Sequence, residues 1–89
     1  EAHRLGLVNH VVPADQVMPK AEEVARRICA NAPLSVRAIK EAAYRGLDAP
    51  LEEGLRIEAL LAKAIGYTDD SREGPRAFAE KRPAAFRGR

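Results

Sequence analysis

The sequence predicts an all-α chain, a small bundle of three to four helices preceded by a short extended segment. Three observations predict it. Pro19, Pro33 and Pro50 each stand at the head of an apolar pattern with helical period. Single glycines, Gly46 and Gly66, stand where two of those patterns end. The stretches between patterns are short, roughly two to five residues, which suits packed helical neighbours.

The elements follow in order. Glu1 to Leu5 reads as the last turn of a helix closed by Gly6, since glycine tolerates the left-handed backbone of a helix end. Leu7-Val8 and Val11-Val12 flank Asn9-His10 and stop at Pro13. This reads as an extended stretch with no ladder partner. Pro19 opens the first clear helix, with Asp15 an alternative start. Val17, Ala21, Val24, Ile28 and Ala32 form its apolar stripe. Glu22 and Arg26, like Glu23 and Arg27, stand four apart in the favourable order.

Pro33 starts the next helix and Gly46 ends it, with Val36, Ile39 and Ala43 on one stripe that Leu47 continues. Pro50 opens a third helix, whose first turn carries Glu52 and Glu53, where the helix dipole favours acids. Leu51, Leu55, Ile57, Leu60, Leu61, Ala64 and Ile65 make its apolar band the widest in the chain. A band that wide predicts contact on more than one side. Asp70 and Glu73 resemble a capping box, but Pro75 lies deep for a helix start. The regular part of the last helix is therefore expected from Glu73 or Gly74 until Pro83 stops it. Phe86 is expected to fold back, and Arg87-Gly88-Arg89 to fray.

Composition narrows the function classes. The chain has 89 residues, no Trp and four aromatic side chains, Tyr44, Tyr67, Phe78 and Phe86. Its core must be built largely from small side chains, so a partner surface would help it. The formal net charge is +2, with acids interleaved among the arginines, so nucleic acid is not an expected partner. The lone Cys29 excludes a disulfide framework and reads as a small buried hydrophobe on a helix. A reducing, cytoplasmic setting fits it. No stretch is long and apolar enough to span a membrane, and no signal peptide is visible. The chain opens on Glu1 without a methionine, which suits a fragment.

The residues carry little catalytic chemistry. His3 and His10 have no Cys or Asp at metal-ligand spacing, so no metal site is expected. Ser35 and Ser71 lack a His or carboxylate in motif context, and the glycines are too scattered for a phosphate loop. Glu52, Glu53 and Glu58 are of the type that handles water in hydration, but they sit where acids serve capping and solubility.

Several segments, in this order, carry a resemblance. They are Gly6-Leu7-Val8-Asn9 with Val11-Val12-Pro13, an Ala-rich helix ending Ala32-Pro33, then Lys40. Leu51-Glu52-Glu53-Gly54-Leu55 with Glu58 follows. Asp69-Asp70-Ser71-Arg72-Glu73-Gly74, Ala77-Phe78, Glu80-Lys81-Arg82-Pro83 and Phe86 close the set. Together they resemble the C-terminal portion of the crotonase superfamily, whose members include the enoyl-CoA hydratases. The resemblance implies residues 1–14 as the end of the catalytic core and residues 15–89 as a helical oligomerisation domain.

It implies further that the full enzyme acts on acyl-CoA thioesters, with no tightly bound cofactor. The family's oxyanion hole stabilises the enolate-like intermediate, and it would precede Glu1. No catalytic residue transfers to this chain, which alone is expected to be inactive. Two binding residues transfer. Lys81 resembles the lysine near the adenine and phosphate end of CoA, often reaching over from a neighbouring subunit. Phe78 resembles an aromatic that lines the acyl-chain pocket at the subunit boundary. The family's helical tail also builds a homo-oligomer, a trimer or a hexamer. Enoyl-CoA hydration is the expected reaction of the parent enzyme. Alternatives are another crotonase-family isomerase, dehydratase or hydrolase, a free-standing helical interaction module, and a small basic nucleic-acid binder.

Overall fold

A computed structural model describes residues 1–89. It is all-helical, with four α-helices and no strand. A 3-10 turn over Ala14–Gln16 leads into α1 (Val17–Cys29), followed by α2 (Pro33–Leu47), α3 (Leu51–Gly66) and α4 (Asp69–Ala79). Residues 7 to 13 form no regular element, as expected for an extended stretch without a ladder partner.

The N-terminal turn ends as its glycine requires. Gly6 has φ +77°, its N–H donates to the His3 carbonyl, and the Leu7 N–H donates to the Ala2 carbonyl. These two bonds define a Schellman ending. Helix α1 starts at Val17 and not at Pro19. Pro19 occupies the third position of the first turn, where a missing N–H still costs nothing. Glu22 pairs with Arg26 at 2.9 Å, whereas Glu23 turns back to Lys20 at 2.8 Å instead of reaching Arg27.

Helices α2 and α3 are the one extensively packed pair. Gly46 and Gly54 make the close approach possible. A Cβ built on Gly54 would stand 3.4 Å from the Gly46 Cα and carbonyl oxygen. Gly46 therefore serves helix contact, and α2 runs one residue past it to Leu47. Ile57 is buried, and Leu61 and Ile65 are half-buried. The other side of the wide α3 band has no cover: Leu51, Leu55 and Leu60 are exposed.

The arrangement is open. The radius of gyration is 16.5 Å, against about 12 Å for a compact chain of this length. Only Ala32, Ile57, Ala77, Asp70 and Glu73 are buried, and two of these carry charge. Cys29 corrects its sequence reading, for it is exposed. Its helix packs along its length against no other helix of the chain, so much of the α1 stripe faces outward.

Helix α4 departs most from expectation. It begins at Asp69 and carries Pro75 as an interior residue. Thr68, not Asp70, is the N-cap, and its Oγ1 accepts from the Ser71 N–H at 3.2 Å. The Asp70 N–H, another first-turn donor, reaches the Arg89 carbonyl at 3.1 Å. The C-terminal residues thus support the first turn that Pro75 alone would discourage. Residues 87 to 89 are held here and do not form a free end.

Candidate functional site

The site is built on α4 and the tail that folds back along it. Asp70 and Glu73 lie three apart, on one side of the helix. Both are buried, and both spend their oxygens on the tail. The Asp70 carboxylate accepts the N–H of Arg87 at 2.7 Å and of Gly88 at 2.8 Å. Glu73 accepts the Ala85 N–H at 2.9 Å. It also takes Arg82 with both oxygens, at 2.6 and 3.1 Å, and Arg76 at 2.8 Å. The Arg82 guanidinium, aided by the Ala85 N–H, holds the Glu73 carboxyl far below the usual carboxylate range. The carboxylates of Glu73 and Glu80 raise Arg82 in turn.

Gly74 completes the tail's seat. The Phe86 ring lies 3.8 Å from where a Cβ on Gly74 would stand, an ordinary contact distance, so the ring covers the helix at this point. The groove along this face holds about 440 Å³ and is lined by Asp69, Asp70, Arg72, Glu73, Arg76 and Arg82, among others. Its carboxylates and guanidiniums are largely paired with each other, which makes it a structural seam.

The helix end carries the two residues singled out above. The Lys81 N–H donates to the Phe78 carbonyl at 3.2 Å, and the Arg82 N–H to the Ala77 carbonyl at 3.0 Å. This is a second Schellman ending, with Lys81 at the position glycine usually fills. Lys81 has φ +53°, the only non-glycine residue of the chain with positive φ. The helix therefore ends before Pro83, at a left-handed lysine. The structure brings Lys81 and Phe78 to one helix end. Lys81 is exposed, and Phe78 is 87% exposed, so Phe78 has no packing role within this chain.

Two of the remaining polar candidates, Ser71 and Glu53, serve local structure. Ser71 Oγ donates to the Thr68 carbonyl at 2.7 Å and to the Gly66 carbonyl at 3.0 Å. Glu53 lies 3.6 Å from Arg56. No three metal-ligating side chains come together. Sequence reasoning missed the clamp formed by Asp70, Glu73 and Arg82. The available signal was an acid pair at one-turn spacing, followed by an arginine and then an aromatic opposite Gly74.

Comparison with known proteins gives the setting. The family model for enoyl-CoA hydratase/isomerase matches residues 1–89. An enoyl-CoA hydratase of Mycobacterium tuberculosis is 43% identical over 89 residues, covering 100% of this chain and 34% of the relative. The (E)-benzylidenesuccinyl-CoA hydratase of Thauera aromatica is 46% identical over 88 residues, covering 99% of this chain and 34% of the relative. The crystal structure of an enoyl-CoA hydratase from Bacillus anthracis superposes with a TM-score of 0.96 at 39% identity. It is matched over 99% of this chain and 34% of that one. The chain spans about a third of the length of the relatives it matches.

Proposed function

Because this chain belongs to the enoyl-CoA hydratase/isomerase family of the crotonase superfamily, we propose that it is the C-terminal helical part of an enzyme that hydrates 2-enoyl-CoA thioesters. The observation that carries this reading is the correspondence of 99% of the chain with a third of a solved enoyl-CoA hydratase. The groups that polarise the thioester carbonyl belong to the remainder of such an enzyme. The part described here contributes binding and assembly.

In this proposal Lys81 meets the phosphates at the adenine end of CoA. An ammonium on a flexible stem suits a phosphate partner, and this one is exposed at a helix end. Phe78 meets the acyl chain at a boundary between subunits, and its exposure supports a role for it beyond this chain. The uncovered apolar faces of α1 and α3 support assembly into a homotrimer or a hexamer. No helix is long and apolar enough to cross a membrane. The proposed workplace is the cytoplasm, in acyl-CoA and fatty acid metabolism.

The test is hydration of crotonyl-CoA by the polypeptide that carries these residues in full-enzyme context, against crotonyl-pantetheine as a substrate lacking the nucleotide. Lys81→Ala should raise KM for the CoA thioester and leave the pantetheine thioester unchanged. Equal effects on both substrates would remove Lys81 from the phosphate site. Double-bond migration without hydration would redirect the activity to the isomerase branch of the family.

A further inference from the structure

We infer that Glu73 and Arg82 are a positioning pair, which fixes the backbone on which Lys81 is presented to an anionic ligand. The inference rests on the reading of Lys81 as a CoA phosphate contact.

A lysine resists the left-handed conformation, because its Cβ crowds the following carbonyl. Lys81 nonetheless adopts φ +53°. Something outside the residue must therefore hold it, and the next residue is held twice. The Arg82 N–H is fixed to the Ala77 carbonyl at 3.0 Å. The Arg82 guanidinium is fixed to both Glu73 oxygens, at 2.6 and 3.1 Å. The Glu73 side chain is only 10% exposed, and the Ala85 N–H donates at 2.9 Å to Oε1, the same oxygen that accepts from Arg82 Nη1. Backbone after Lys81 is thereby pinned to α4, the Glu80 N–H before it donates to the Arg76 carbonyl at 2.9 Å, and the lysine is left at the turn. Two-point contact between guanidinium and carboxylate adds directionality that a single charge contact lacks.

The Glu73 carboxylate would repel an anion if it stood alone. Its charge is met by Arg82 and Arg76, so the pair orients Lys81 without opposing the ligand. This separates two physical outcomes. If Glu73 acted on an anion only through its charge, neutralising it would tighten binding. If it acts by positioning Lys81, neutralising it weakens binding.

The experiment measures the dissociation constant of adenosine 3′,5′-bisphosphate, the phosphate-bearing end of CoA, for the same full-enzyme context. Glu73→Gln is expected to weaken binding by about three- to tenfold and to add no further loss in a Lys81→Ala background. Thermal melts by circular dichroism follow each variant. If Glu73→Gln does not fold, Arg82→Lys decides the matter, since it keeps the charge and removes the two-point geometry. Its binding should weaken likewise, and unchanged binding would overturn the pairing. Unchanged or tighter binding in a folded Glu73→Gln protein would overturn it as well. If Lys81→Ala binds as the unsubstituted protein does, the Lys81 reading fails and the inference falls with it. If Lys81→Ala weakens binding and Glu73→Gln does not, only the positioning pair fails.

Discussion

Glu73 and Arg82, nine residues apart, meet as a two-point ion pair, with Nη1 to Oε1 at 2.6 Å and Nη2 to Oε2 at 3.1 Å. The same carboxylate takes the Ala85 N–H, so α4 and the tail share one buried acid. Arg82 also donates through Nε to the Glu80 carboxylate.

The pair sets a pH dependence. Arg82 and the Ala85 N–H depress Glu73 in the folded chain, from an ordinary value of 4.5. The unfolded chain therefore binds the proton more readily. Stability from this group is fully present above that ordinary value and is lost as pH falls below it towards the depressed folded value. Urea melts should show a midpoint that is insensitive to this group near neutrality and declines in acid. Glu73→Gln should be less stable at neutral pH and show a shallower acid decline. Glu1 and Glu23, paired at the surface with Arg4 and Lys20, act in the same direction and leave the residual slope.

Asp70 performs the second half of the clamp. Its two oxygens hold the Arg87 and Gly88 N–H groups. Asp70→Ala should release the tail beyond Ala85, which Glu73 still holds, and cost about 1.5–3 kcal/mol, the range for a hydrogen bond to a charged group. Hydrogen exchange gives the local readout. The Arg87 and Gly88 amides should lose protection while amides in the middle of α2 and α3 keep theirs.

The sequence carried the helical class and the starts of α2 and α3 because these are local properties. Proline at a first turn, glycine after a last turn and a 3.6-residue apolar period act within a few residues. Gly6 illustrates this, for its role follows from its own φ. What lay beyond reach depended on distant partners. Asp70 reads as a cap until Arg87 and Gly88, 17 and 18 residues on, are placed beside it. Pro75 reads as a barrier until the tail is seen supporting the turn before it. Cys29 reads as core because a free cysteine behaves as a small hydrophobe, but residue type does not say whether a second element covers its helix. Lys81 and Phe78 were singled out by resemblance, since neither exposure nor a left-handed lysine has a local signature.

The α2–α3 crossing is testable at one atom's distance. A methyl on Gly54 would sit 3.4 Å from the Gly46 backbone, at the tight edge of contact. Gly54→Ala sets that contact against a helix-propensity gain of about 1 kcal/mol and should be near neutral. Gly54→Leu has no room and should separate the helices, costing about 1–3 kcal/mol as overpacking does. Denaturation midpoints of the two variants should therefore diverge. Equal midpoints would mean that α2 and α3 do not approach through these glycines.

Lys81 yields the last prediction, in which stability and function part. A lysine at φ +53° occupies a position where glycine has no Cβ penalty. Lys81→Gly should stabilise the helix end by about 1 kcal/mol, and Lys81→Ala should not, because alanine keeps the Cβ. The gain should appear as a raised thermal midpoint, with Arg82 still bonded to Ala77. If the ammonium contacts CoA phosphates, the same glycine variant should lose nucleotide affinity while gaining stability. Strain retained at a ligand contact behaves in this way. A glycine variant that is more stable and binds equally well would mean that the left-handed lysine serves no ligand.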